Sequence, residues 1–415
     1  MKVLMLGWEF PPFFAGGVGM VCYELTKEMV KRGDVSLTYV MPSGPRDVKD
    51  SHVNILVANN LVADSQIKIH RIPSTLGAYM TEEQYQKNIT KLRELGHDAD
   101  NKRDNTKSLY GKNLLAEVDR FAQKVSLIAA QEDYDVIHAH DWTTFPAAIQ
   151  AKKKTGKPFV AHVHITEYDK SGGAGADPHI YAVEREGMHT ADKVIAVSNF
   201  VKQNLIERYG VPTDKISVVH NGANEMNASV SYRHIIQDTD KVVLFAGRVT
   251  LQKGPEFFVD AAAKVVPHFK NVKFVVAGSG DQLTNMIEQA TEAGIAANFV
   301  FHGFYTRDEA EKLFSMADVF VMPSVSEPFG IVPFEAMCKG TPTIISKQSG
   351  CSEVIDHTLK CDFWDTDTMA NQIVGILRHS ELRKEISENG KREVDTFTWE
   401  EPAQKCIEVY QEVLR

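Results

Sequence analysis

Short apolar runs recur along this 415-residue chain, and a longer amphipathic stretch follows most of them. Several runs are apolar on both parities, as a strand covered on both faces must be. In the first half they fall at Val3–Leu6, Val35–Met41, Asn54–Val57, Ile67–Ile72, Asp135–Ala139, Phe159–His164, Lys193–Val197 and Ile216–Val219. Helical periodicity lies between them at Gly19–Lys31, Tyr110–Gln131 and Asn199–Tyr209. Such alternation predicts an α/β domain with a parallel sheet.

The pattern then restarts. Strands are expected at Val242–Ala246, Lys273–Ala277, Phe299–Phe301, Val319–Met322 and Thr343–Ile345. Helices are expected at Pro255–Val266, Asp281–Ala293, Arg307–Met316, Val332–Lys339 and Thr368–His379. A polar, aperiodic stretch at 221–240 reads as the linker, so two similar sandwiches are expected without any visible sequence repeat. The almost wholly polar segment 81–107 reads as a solvated excursion at the edge of the first domain, with a lid over an acceptor groove as the alternative.

Composition removes several classes. Hydrophobic residues make up 43% and charged residues 24%, which excludes disorder and low complexity. The net charge is −9, and the acidic excess lies almost wholly in the second half. This argues against nucleic acid as a partner and against a basic face for anionic lipid. Five cysteines without a Cys-x-x-Cys pattern predict reduced thiols and a cytoplasmic location. No apolar run is long enough for a signal peptide or a membrane helix, so no integral membrane segment is expected.

In open α/β sheets ligands bind beyond the carboxyl ends of the strands, so the loops after the strands are where chemistry is sought. After Val3–Leu6, the glycines Gly16, Gly17 and Gly19 precede a helix whose first amides can meet a phosphate, or else simply form a tight turn. After Val242–Ala246, Arg248 and Lys253 are two cations suited to a diphosphate, or an ordinary surface pair. After Val319–Met322, Glu327-Pro-Phe-Gly330 leads into a helix carrying Glu335. These carboxylates, eight residues apart, lie on one side about two turns apart, and the amides of Phe329, Gly330 and Ile331 lie between them.

In the first half, His138 and His140 share a strand face, as do His162 and His164, at two neighbouring strand ends. A metal needs more than two ligands, so each pair reads chiefly as a hydrogen-bonding group, with core histidines as the alternative.

Together these residues resemble the retaining GT-B glycosyltransferases, family four in particular, over nearly the whole chain. The marks are Gly16-Gly17, Ala196-Val-Ser-Asn-Phe200, Val218-Val-His-Asn-Gly222, Gly247-Arg248 with Lys253-Gly254, and Glu327-Pro-Phe-Gly330 running to Glu335-Ala336. Their order is specific, although no single piece is. The resemblance implies two Rossmann-like domains facing each other across a cleft. Residues 1–230 would be the acceptor side and residues 231–398 the donor side, with a helix near 399–415 crossing back onto the first.

It also implies roles. Arg248 and Lys253 would neutralise the donor diphosphate, and Glu335 would hold the ribose. Glu327 and the Phe329–Ile331 amides would hold the sugar, and Gly303 with Phe304 would meet the base. His164 would touch the sugar from the opposite domain, Asp141 would line the acceptor side, and the Gly16–Gly17 loop, on that same side, would take part in binding the donor.

The N-terminal WEFPP…GGVG and the Glu-Pro-Phe-Gly tetrad are similar to glycogen and starch synthases. Bacterial family-five synthases carry Lys two residues before the glycine pair, where this chain has Phe14. The expected reaction is hexose transfer, with glucose as the hexose, from ADP-glucose or UDP-glucose to a carbohydrate acceptor such as an α-glucan. It would proceed with retention and without a metal or bound cofactor. The alternatives are a transferase of surface-polysaccharide or glycolipid synthesis, a nucleotide-sugar 2-epimerase, and a non-catalytic binding scaffold. A Rossmann dehydrogenase lacks its glycine fingerprint here.

Overall fold

The computed structural model describes residues 1–11, 17–42, 52–57, 112–173, 175–223, 236 and 239–415. The expected strand at 67–72, the segment 81–107, Phe14, Gly16 and most of the 221–240 stretch lie outside the described residues.

Residues 2–218 build the first sheet. Its elements are β1 (Lys2–Leu6), α1 (Gly17–Lys31), β2 (Ser36–Met41), β3 (Asn54–Val57), α2 (Lys112–Ala129), β4 (Val136–His140), α3 (Phe145–Thr155), β5 (Phe159–Val163), α4 (Glu167–Lys170), α5 (Pro178–Thr190), β6 (Lys193–Ala196), α6 (Asn199–Tyr209) and β7 (Ile216–Val218). All pairings are parallel and the order is β3-β2-β1-β4-β5-β6-β7.

The second sheet follows with β8 (Lys241–Ala246), α7 (Pro255–Val265), β9 (Val272–Ala277), α8 (Leu283–Glu292), β10 (Phe299–Gly303), α9 (Arg307–Met316), β11 (Val319–Met322), α10 (Val332–Cys338), β12 (Thr343–Ser346) and β13 (Leu359–Cys361). Its parallel order is β10-β9-β8-β11-β12-β13. Helices α11 (Thr366–Arg378), α12 (Ser380–Val394) and α13 (Glu400–Val413) complete the chain.

Strand parity explains the layering. Leu4, Leu6, Ile137, Ala139 and Ala161 face one layer, where they meet Val118, Phe121 and Ala148 of α2 and α3. Their neighbours Val3, Met5, Val136, Val160 and Ile195 face the other, where they meet Val21 and Leu25 of α1 and Ala403, Ile407 and Tyr410 of α13. Helix α13 therefore follows the second sheet in sequence but covers the first. A fully buried aliphatic side chain contributes about 1.5–3 kcal/mol, so this one helix is a substantial part of that layer. The second sheet repeats the scheme: Val243, Phe245, Val276 and Val321 face α7 and α11, while Leu244, Phe320 and Ile345 face Leu313, Phe314 and Phe334.

In both sheets the strand order reverses at one place, between β1 and β4 and between β8 and β11. Ligands of such sheets bind at this switch point; the loops after β4, β8 and β11 carry Asp141, Arg248, Lys253 and Glu327–Ile331, whereas His164 follows β5 and Gly303 with Phe304 lies at the end of β10. All five cysteines are free, and burial pushes the Cys22, Cys351 and Cys361 thiols up to about 12. Among the described residues no helix is long and apolar enough to cross a membrane.

Candidate active site

One wall is built by β4 and β5. Register places His140 opposite His162, and the alternation of side chains puts His138, His140, His162 and His164 on one face. Their rings interleave. His138 stacks on His140 at 4.4 Å between centroids, and His162 stacks on His164 at 4.1 Å. Hydrogen bonds join the two strands, with His138 Nε2 to His162 Nδ1 at 3.1 Å and His140 Nδ1 to His164 Nε2 at 2.8 Å. His138 Nδ1 meets the hydroxyl of Tyr410 on α13.

Burial depresses the pKa of all four imidazoles, that of His138 to about 3, so they are neutral near pH 7. Atoms of His138, His140 and His162 lie within 4.8 Å of one another. The hydrogen bonds leave only the Nε2 atoms of His140 and His162 unengaged among them, two ligands where a metal needs three or four.

Asp141 turns the chain at the end of β4 with φ 57°, a left-handed conformation uncommon for a residue other than glycine. Its Oδ1 accepts from the amides of His164 at 2.7 Å and Ile165 at 3.3 Å. At 3% exposure it is a buried brace for the His164 backbone more than a lining of an open surface. His164 itself is only 7% exposed.

The opposite wall comes from the loops after β8 and β11. Lys253 Nζ is paired with Glu327 Oε2, to which Ser324 Oγ also donates at 3.2 Å. The two loops are locked together. Val325 donates its amide to Gln252 at 2.9 Å, and Gly254, at φ 62°, lies so close that a Cβ there would fall 2.2 Å from the Pro323 carbonyl oxygen. Gly330 turns with φ 92° directly before α10, and a Cβ there would press on Glu327 Cγ at 3.0 Å. Among the described residues no backbone carbonyl accepts from the amides of Phe329, Gly330 or Ile331. Arg248 is exposed, with Gln252 Oε1 3.5 Å away.

Glu335 sits in the first turn of α10, partly buried, and points towards residues that follow β10. Burial raises its carboxyl to about 7, although Arg307 opposes the shift; burial, and after it the Glu335 charge, push the Tyr305 phenol up. Gly303 ends β10 at φ 80°, and Phe304 beyond it is 79% exposed, a free aromatic face beside Glu335's neighbours.

The walls touch. Ser198 Oγ donates to the Pro328 carbonyl at 2.6 Å. Glu353 accepts from the amides of Asn199 at 2.9 Å and Phe200 at 2.6 Å, the first turn of α6, and pairs with His220 at 3.0 Å. Burial would raise this carboxyl, but these bonds hold it below its ordinary value. Ser326 Oγ donates to Asp169 Oδ1 at 2.8 Å, and Asn204 adds a bond at 3.3 Å.

Known proteins share this fold. The family described as "Glycosyl transferases group 1" matches residues 231–393, and "Glycosyltransferase Family 4" matches residues 92–225. An uncharacterised glycosyltransferase of Methanocaldococcus jannaschii is 31% identical over 99% of this chain and 98% of its own. The chain belongs to the GT-B glycosyltransferases of group 1 and family 4. A glycogen synthase of Mycobacterium tuberculosis is 24% identical over 99% of this chain and 94% of its own length. Among solved structures, sucrose-phosphate synthase from Thermosynechococcus elongatus superposes with a TM-score of 0.71 at 20% identity, covering 99% of this chain and 98% of that one.

Within this GT-B glycosyltransferase, Arg248, Lys253, Glu327, Phe329, Gly330 and Ile331 lie in two loops bound to each other. Glu335, Gly303 and Phe304 gather at the β10 end. Gly17 begins α1, whereas Gly16 lies outside the described residues. Sequence reasoning missed Asp169, Ser326 and Glu353, which join the halves. The signal available was that Ser198–Phe200 and His220 fall in the two middle marks of the family, where no catalytic role explained them.

Proposed function

We propose that this glycosyltransferase moves a hexose, glucose, from a nucleoside diphosphate sugar to a carbohydrate acceptor, with retention of anomeric configuration and without a metal. The observation that carries the reading is the Lys253–Glu327 pair, seated in two interlocked loops beside the Phe329–Ile331 amides. A diphosphate entering there would meet Lys253, Arg248 and three amides, a fixed positive field of the kind that replaces a metal ion. Glu327, released from part of its hold on Lys253, would accept from sugar hydroxyls. Glu335 and Phe304 would take ribose and base. The similarity to a glycogen synthase supports glucose and a glucan acceptor.

On this reading the bond from C1 to the diphosphate oxygen breaks as an acceptor hydroxyl attacks C1 from the same face. The hydroxyl proton passes to the departing phosphate oxygen, and His164 donates a hydrogen bond that fixes the sugar. Nucleotide identity is tested by thermal shift with ADP-, UDP- and GDP-glucose, since a ligand of the folded state raises the melting point. Release of nucleoside diphosphate with acceptor present, and an α-linked product by NMR, supports the transfer. No shift with any of the three donors and no release would reject it.

A further inference from the structure

The four histidines hold a pattern of hydrogens that the donor site does not by itself require. Each is buried and neutral, so each ring carries one N–H and one bare nitrogen. Two nitrogens, His140 Nε2 and His162 Nε2, are buried without a hydrogen-bond partner among the described residues. An N–H shut away from water without an acceptor is the rarer and costlier defect, so both of these atoms are the bare ones.

The rest follows by elimination. His162 must carry its hydrogen on Nδ1 and donate to His138 Nε2. His138 then carries its hydrogen on Nδ1 and donates to Tyr410 Oη. Tyr410 must send its own hydrogen elsewhere, and Met29 Sδ, an acceptor only, lies 3.9 Å away. The chain ends consistently, which is an independent check on the assignment of its first member.

The same rule acts on the second branch. His140, bare at Nε2, carries its hydrogen on Nδ1 and donates to His164 Nε2 at 2.8 Å. That leaves the His164 hydrogen on Nδ1, the nitrogen that is neither bonded to a described residue nor among the buried unpartnered atoms. We infer that His140 is a positioning residue whose Nδ1–H holds His164 as the Nδ1–H tautomer, so that His164 presents a donor, not a lone pair, to the sugar. This rests on the proposed hexose transfer only for the word sugar; the tautomer stands on the hydrogen bonds alone.

The test has two arms. In the first, the full chain is labelled with 15N-histidine and two-bond 15N–1H correlation spectra are recorded at pH 7.5, with His140→Asn and His164→Asn spectra as assignments. His140 and His164 are both expected in the Nδ1–H pattern, and an Nε2–H pattern for either overturns the inference. In the second, His140→Asn is compared with His140→Leu. The Asn amide nitrogen takes the place of Nδ1 and should keep kcat within about threefold, whereas Leu removes the donor and should lower kcat about tenfold or more with donor KM little changed. Equal kcat in the two variants, both melting near the parent, also overturns it. If the parent transfers no sugar from any nucleotide donor, the functional reading falls, while the spectra still decide the tautomer.

Discussion

Ser326 of the second domain donates its hydroxyl to Asp169 of the first, 2.8 Å away, and both side chains are buried. Asp169 is already occupied on its other oxygen by the Thr166 amide at 2.9 Å and hydroxyl at 2.7 Å. Burial raises its carboxyl, and these bonds oppose the shift. Ser326 stands next to Glu327, so the contact ties the domain interface to the acid proposed to hold the sugar.

Removing that tie should loosen closure without harming either domain. A hydrogen bond to a charged group is worth roughly 1.5–3 kcal/mol. Ser326→Ala is expected to raise donor KM about three- to tenfold and to enlarge the radius of gyration in X-ray scattering at saturating nucleotide. An unchanged scattering profile and KM would show that the remaining contacts, Glu353 on α6 among them, suffice.

Glu335 should make donor binding depend on pH. Its carboxyl is raised to about 7 in the ligand-free fold, from an ordinary value of 4.5. A raised acid stabilises the fold below its unfolded pKa, and that contribution is lost as pH climbs from about 4.5 through 7. Ribose hydroxyls donate, so they select the charged form. Donor Kd should therefore weaken as pH falls below 7, approaching about tenfold per unit, with proton release on binding at pH 6. Calorimetry in two buffers checks this, and Glu335→Gln should flatten both profiles.

The two acids of the Glu-Pro-Phe-Gly helix should part in their kinetics. Glu335→Gln acts on a group remote from the reacting bond and held alike throughout, so it should chiefly raise donor KM. Glu327→Gln acts where charge develops and also leaves Lys253 without its pair, so kcat should fall by about 10²-fold or more. Small, equal kinetic effects together with lowered melting points would mean that both acids serve only the helix end.

Activity should survive chelation. On the proposed reading Lys253, Arg248 and the amides before α10 would provide the positive field. Turnover in EDTA is expected within about twofold of the untreated rate, on the reasoning that a preorganised field needs no ion. Loss in EDTA with recovery on manganese would remove this part of the mechanism.

The fold was legible because most strands are buried on both faces and their loops carry the Gly and Pro punctuation of the site. β13 escaped notice: Leu359–Cys361 is three residues long, with a lysine at its centre. Helices α5 and α12 are so polar on their outer faces that composition hid them. Same-face histidine pairs could be read from spacing two. Their interleaving could not, since it depends on His140 facing His162 across β4 and β5. Glu353 was invisible for a similar reason, because it caps a helix more than 150 residues earlier in the chain.

Helix α13 carries one further consequence. It seals the α1 side of the first sheet, yet the ribosome makes it only after the whole second sheet and its helices. Until then Val3, Met5, Val136 and Tyr39 have an incomplete apolar cover, and His138 lacks the Tyr410 hydroxyl. The nascent first domain is therefore the half that most needs chaperone protection during synthesis, and it matures only when the second has already been made.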